Sequence, residues 1–537
     1  MALSNRRTWA SQSALALGGR AVLCGTAWLG GAAVLGHTST ARADEPRHRA
    51  EPKVLHDTAI DLLDVADAFD VDDDFDLNLR LGFEHEERSA PIRRESAQPV
   101  MASGGYTSDL LDVATYNEST ERLIPQIDIG LLPELALKVR MPVILANNRS
   151  LADRNGSAAN SSNANVGLLG EQLFQVPFQS PTRSGIEYLA VGLDLGIMSQ
   201  FRNPQQPNWV IGIEGRFNVS DPMHACNRSP AEGQVACAYP SDINRNGTAD
   251  PLGPEYGPVA GASEGNFTGG RGPGVSRGTT GLEAHAYVSK RLAYIEPYSG
   301  VSALFEFPTG GSDFGSQDLK TVLANHPPVR GTVTVGLAVI PWEQPEKFQR
   351  ISFDFRVRGT YVSEGRDYSE LFDALGSSAA GSLRSANFAE YMPNLAPNGE
   401  PNPWVPSVVD PNSERVFFSG ITGIQGHGDY DFRAQFTWQA GEYVKFDLGG
   451  TMRVIQAHDI TFDQACTPTF PADATLAGPC KYQSGSTTND NGDQVPEWQA
   501  LGAPNPNFRQ VINEPGRRYK VDTSFGFGGF IRASVMF

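Results

Sequence analysis

The segment that ends the chain, Tyr519–Phe537, alternates in polarity with a period of two. Val521, Phe525, Phe527, Ile531, Val535 and Phe537 share one parity, while Asp522, Ser524, Arg532 and Ser534 share the other. Successive side chains of a β-strand point to opposite faces, so this segment carries one apolar and one polar face. Such an apolar face, running to the last residue, must be covered by a second sheet or be solvated by lipid.

Eleven further segments repeat the pattern. In Leu135–Leu145 the residues Leu135, Leu137, Val139, Met141, Val143 and Leu145 lie on one side, with Lys138 and Arg140 on the other. Leu123–Leu131 precedes it across Leu132-Pro133-Glu134, which reads as a hairpin with a tight turn. Tyr188–Ser199 with Trp209–Val219, Thr280–Ser289 with Ala293–Phe307, Gly331–Ile340 with Arg350–Tyr361 and Asp429–Trp438 with Tyr443–Val454 form four more hairpins. Asp76–His85 opens the set and Tyr519–Phe537 closes it. The connections alternate between short turns and long segments, the asymmetry of a membrane barrel with short periplasmic turns and long extracellular loops. The expected fold is therefore all-β, an antiparallel transmembrane β-barrel of about twelve strands. A soluble β-sandwich also alternates, but it has shorter strands and does not gather every long loop at one end.

The terminal aromatic Phe537, with apolar residues at even spacings upstream, resembles the insertion signal of Gram-negative outer-membrane β-barrels. That resemblance implies outer-membrane lipid and the outer-membrane insertion machinery as partners, and the outer membrane as location. The hairpin pattern, an acidic segment before the first strand and the loop stretch Gly365–Gly376 are also similar to large-looped outer-membrane barrels of myxobacteria-like genomes. That narrower likeness implies no substrate.

The start of the chain reads as an export signal, residues 1–43. Arg6, Arg7 and Arg20 precede a run of small and apolar residues, and Ala41-Arg42-Ala43 offers a small-x-small cleavage pattern. Arg6-Arg7 alone does not make a twin-arginine motif, and Leu23 before Cys24 argues against lipidation. Residues 44–75 form an acidic periplasmic segment in which His56–Phe69 has roughly helical apolar spacing; a plug inside the barrel is the alternative. Residues 76–537 make the barrel. The net charge of −18 and the absence of a Lys/Arg-rich face argue against nucleic acid.

By parity the inward faces carry Arg80, Asp128, Lys138, Arg140, Glu214, Arg216, Asp354, Arg356, Arg358, Asp431, Arg433, Lys445, Asp447 and Arg532. The parity also turns inward Asp76, Glu84, Asp194, Glu283, His285, Glu296, Asp429, Arg453 and Asp522. Two readings are open. The charges form a salt-bridge lattice that fills the lumen, or they line a polar pathway for a small solute. The expected function is porin-like passage of small polar solutes; the rival is a non-conducting surface protein that binds or braces through its outer loops. No G-x-S-x-G elbow or H-E-x-x-H motif accompanies His285, His326, His427 or His458, so an enzyme is not expected.

Three loop features remain. Asp242, Asn244, Asn246 and Asp250, with Gly247 at the sixth position, resemble the start of an EF-hand-type calcium loop, but Gly253 stands where the bidentate Glu belongs and Asn/Asp/Gly clusters also make ordinary turns. No other cofactor is expected. Cys226 with Cys237 and Cys466 with Cys480 read as disulfides stapling short loops, a zinc site being the alternative. Gly365–Gly376 reads as a short helix ended by Gly, folded into the mouth or lying as a surface cap.

Overall fold

The computed structural model describes residues 58–66, 68–70, 73–100, 105–154, 172–231, 233–237, 270–315, 326–384, 391–392, 408–409, 418–467, 480–505 and 508–537. The export segment 1–43 and the calcium-like residues Asp242, Asn244, Asn246 and Asp250 lie outside these.

Twelve antiparallel strands close into a barrel. They are β1 (Leu77–Val100), β2 (Gly105–Leu132), β3 in two pieces (Leu135–Arg140 and Val143–Ala152), β4 (Leu189–Met198), β5 (Asn208–Phe217), β6 (Thr279–Ser289), β7 (Ile295–Pro308), β8 (Arg330–Gln344), β9 (Gln349–Val362), β10 (His427–Gly441), β11 (Val444–Ile455) and β12 (Ser524–Met536). β12 pairs β1 from Phe525↔Ser89 to Met536↔Asn78, and the backbone of Phe537 exchanges hydrogen bonds with Leu77. The final residue thus completes the seam that abolishes both sheet edges. Short turns at the periplasmic end reverse through left-handed Glu134, Ala293 and Phe348 (φ 62°, 56° and 53°). No helix among the described residues is long and apolar enough to cross a membrane; this chain crosses with strands.

The outward parity forms a continuous apolar belt. Leu81, Ile213, Val301, Val335, Phe355, Leu448, Phe527 and Ile531 are all exposed on the barrel wall. Water would not tolerate so large a patch, whereas hydrocarbon requires it. Phe537 is also exposed.

Three expectations need correction. Residues between His85 and Leu123 are not a loop: β1 and β2 continue as one long hairpin, paired from Leu77↔Ile129 to Val100↔Gly105. Their alternation fades because this extension meets other loops rather than lipid. Tyr519–Phe537 is not one strand; Tyr519–Val521 is a separate short strand, and Val521 is buried in the outer cap instead of facing lipid. Asp522, expected in the lumen, pairs with Arg93 of the extended hairpin.

The largest apolar cluster among the described residues lies in the outer loops. Ile92, Val113 and Tyr116 of the long hairpin pack with Leu173, Phe174, Leu371, Leu375, Ile460, Ile512 and Tyr519. The outer loops therefore form a cap with its own core. Within it Gly365–Asp367 is a strand paired to Thr422–Ile424, and of the stretch Gly365–Gly376 expected to be helical only Phe372–Gly376 is a helix. Both disulfides, Cys226–Cys237 and Cys466–Cys480, close short loops on this side.

Candidate functional site

Inside the wall, inward charges meet along one strand, between register partners of neighbouring strands, and over an intervening strand, as from β3 to β5. Arg140 of β3 donates to both oxygens of Glu214 on β5 at 2.7 and 2.9 Å, and Arg216 joins Glu214 at 2.8 Å and Glu283 of β6. Lys138 and His285 share the carboxylate of Asp194, the histidine at 3.0 Å. A Cβ at Gly212 would meet the tips of that Asp194–His285 pair and oblige them to shift. Asp128 holds Arg80 at 3.0 Å, Asp354 holds Arg356 at 2.8 Å and accepts from the Tyr298 hydroxyl at 2.6 Å, and Asp431 holds Arg358 at 3.3 Å. Asp447 accepts from Thr437 at 2.7 Å and stands 3.8 Å from Arg532.

The wall does not neutralise itself everywhere, and the segment before the first strand makes up the difference. Residues 58–66 form a turn seated among the inward side chains. Thr58 and the backbone of Ala59 donate to Glu296 at 2.9 Å each. Asp64 takes Arg80 at 2.7 Å and Lys445 at 3.7 Å, and its backbone carbonyl accepts from Lys138. Asp61 accepts from Arg356 and, at 3.1 Å, from Arg532. Ile60 and Leu63 bury against Val210, Tyr298 and Ala338. Residues 58–66 of the segment expected in the periplasm are therefore inside the lumen, and the described part of that segment has no helix; Ala68–Asp70 and Asp73–Phe75 pair as a small hairpin. Its apolar spacing fits wall packing as well as a helix stripe. Asp61 sits on this inserted segment; burial raises its carboxyl, but Arg356, Arg532 and Arg433 outweigh burial and hold it well below the usual range.

Above the segment lies a cavity of about 820 Å³. It runs from Asp61 and Leu62 to Asp367, Tyr368 and Glu370 of the loop between β9 and β10, so that loop both packs in the cap and faces the mouth. Arg80, Lys138, Arg140, Glu214, Arg216, Arg356, Arg358, Asp431, Arg433 and Arg532 line it. Lys445 and Asp447 line the smaller space around Thr58–Asp64 instead, and Asp128 and Asp354 lie behind their arginines. Sequence parity did not bring out Asp61, Asp64, Glu370 or the aromatics Tyr298 and Phe530. The one signal for the aspartates was an acidic stretch tethered to the first strand of an arginine-rich barrel.

The histidines are placed as follows. His427 and His458 stack at 3.8 Å, each with Nδ1 against a backbone carbonyl. His326 Nδ1 lies against the carbonyl of Pro327. Among the outer loops, residues Asn489–Asp493 form a hairpin turn in which the Asn489 side chain accepts from two backbone amides of its own loop.

No family model matches the chain, and no curated protein does. Solved structures similar to it are outer-membrane proteins. The outer membrane protease OmpT from Escherichia coli is 7% identical with a TM-score of 0.23, covering 86% of this chain and 98% of that one. A FadL homologue of Pseudomonas aeruginosa is 7% identical with a TM-score of 0.29, covering 86% and 90%. The toluene transporter TodX of P. putida is 6% identical with a TM-score of 0.25, covering 86% and 90%. Likeness this distant carries no argument about ligand or activity. The architecture rests on the twelve strands, their closure and the apolar belt.

Proposed function

We propose that the protein is a non-enzymatic outer-membrane channel for small polar solutes, whose lumen residues 58–66 close at rest. The observation that carries this reading is the charged cavity of about 820 Å³, continuous from Asp61 to the outer loop. A barrel that only needed filling would have no use for long arginines facing open space. Export by residues 1–43 and recognition of Phe537 by the insertion machinery belong to the same proposal. Planar-bilayer recording of the refolded protein tests it. Deleting residues 58–66 is expected to raise conductance well above that of the full chain, and Arg356→Glu with Arg358→Glu to shift selectivity towards cations.

A second reading, a loop-borne binding or structural protein, is favoured by the disulfide-stapled cap with its own core. Background conductance after deletion of residues 58–66, in a folded barrel, would select it.

A further inference from the structure

The wall of β9, β10 and β12 carries more positive charge than it can neutralise. Arg356 and Arg433 are direct register partners across β9 and β10, an arrangement of like charges that destabilises a sheet unless an anion lies between them. Arg358 stands two residues further along β9, and Arg532 contributes from β12. Both members of the facing pair are buried, Arg356 at 3% and Arg433 at 9% exposure. Asp354 accounts for Arg356 and Asp431 for Arg358. Arg433 makes no ion pair among the described residues. Its guanidinium donates to the Gln435 amide oxygen at 3.0 Å, lies 3.7 Å over the Phe530 ring, and keeps a buried Nε without an acceptor. A buried cation so placed is costly without an anion in reach.

Asp447 of the wall stands 3.8 Å from Arg532, and one further anion reaches this cluster from outside the wall. It is the carboxylate of Asp61, on a segment merely inserted into the barrel, bonded to Arg356 and Arg532. Asp61, Arg356, Arg358, Arg433 and Arg532 all face the same cavity, so a free solute can approach the donors that Asp61 uses. We propose that this arginine cluster is a binding site for small carboxylate anions, occupied at rest by Asp61 as a tethered stand-in. Planar guanidinium forks match the two oxygens of a carboxylate better than a spherical ion. The Phe530 ring offers an apolar surface for the substituent. Solute and Asp61 compete for one position, so binding of the solute frees the inserted segment and couples its presence to opening. As a statement about the transported solute, this rests on the channel reading.

The test is calorimetric titration of the refolded full-length protein with acetate, and separately with inorganic phosphate. Asp61→Asn, a near-isosteric change that removes only the competing charge, is expected to bind acetate at least ten-fold more tightly than the unaltered protein. Asp61→Glu is expected to return the affinity to that of the unaltered protein. Arg433→Gln in the Asp61→Asn background strands no carboxylate, leaves the barrel folded, and is expected to lower acetate affinity ten-fold or more. No gain in Asp61→Asn, or a gain indifferent to Arg433→Gln, overturns the proposal; tighter binding of phosphate than of acetate overturns the carboxylate class. Calorimetry needs no open pore. Expected binding with background conductance refutes the channel alone, and conductance without binding refutes this site alone.

Discussion

Replacement of Asp373 by alanine should loosen the outer cap while leaving the barrel intact. Arg183, just ahead of β4, grips Asp373 of the loop helix with two bonds, Nη1 to Oδ2 at 2.9 Å and Nη2 to Oδ1 at 2.7 Å. The side chains are 1% and 3% exposed. The same guanidinium donates to the carbonyls of Pro273 and His224, and Asp373 also accepts the Cys226 amide. One ion pair thus joins three segments of the cap. Removing one partner of a buried pair costs about 3–5 kcal/mol, because the other charge stays buried and uncompensated. The two carbonyls still hold Arg183, which places the loss at the lower end, about 3 kcal/mol, or roughly a hundred-fold in the opening equilibrium. Hydrogen exchange read by mass spectrometry on residues 223–237 and 371–383 reports that equilibrium, with β10 and β11 as internal reference. Arg183→Met with Asp373→Leu should recover most of the protection, since an apolar pair leaves no orphaned charge. An Asp373→Ala cap that exchanges within about five-fold of the original would mean the pair contributes no more than a surface contact, about 1 kcal/mol. The cap would then be held by its apolar core alone.

Other outcomes follow from single sites. On the extended hairpin, burial raises the Glu118 carboxyl, but Arg149 and Arg88 outweigh it and hold it at about 2 against an ordinary 4.5. Its contribution, on the order of 3 kcal/mol, is present above about pH 4.5 and lost as pH falls towards 2; Glu118→Gln should flatten the acid limb of a hydrogen-exchange profile of that hairpin. Leu448→Arg places a cation on the lipid face and should destabilise the barrel by about 2–4 kcal/mol in lipid denaturation, whereas an Arg at the loop position Ser486 should be near neutral. Cys226→Ser should lower the stability of its loop by about 2–4 kcal/mol, read as faster protease nicking near that site. Deleting Phe537 should slow membrane assembly more than it weakens the finished barrel, a difference that pulse-chase insertion and denaturation measure separately.

The wall was legible because lipid and lumen impose opposite demands on alternate residues. Leu135–Leu145 and Arg350–Tyr361 could be assigned from parity alone, and the observed registers place Arg356 and Arg433 face to face as parity allows. Where the surroundings stop alternating, the signal stops too. Ala90, Ile92, Val113 and Ala114 are all fully buried, but Val113 and Ala114 are adjacent and Arg93, Arg94 and Glu95 run together, so the outer half of the first hairpin lacks a regular apolar alternation and passes for a loop. Val521 shares the parity of Phe525 yet packs in the cap, because parity reports a face and not what covers it. The inserted segment was the hardest part. Its contacts to Glu296, Arg356 and Arg532 span 235 or more residues, and no local pattern encodes a pairing at that distance.

Charge placement inside the barrel carries the argument further than strand counting. Some inward groups close among themselves: Arg140, Glu214, Arg216 and Glu283 form one chain, and Lys138, Asp194 and His285 another. Others, Arg356 with Arg532 and Arg80 with Lys445, add to wall partners such as Asp354, Asp447 and Asp128 two aspartates of a segment that is not in the wall, while Arg433 has no ion pair among the described residues. Had selection acted only for a filled barrel, apolar or self-paired side chains at those positions would have been more stable than cations that depend on an insert. A wall that keeps cations whose partner can leave is built for two occupants. One is the chain's own carboxylate; the other must bring the same charge from outside.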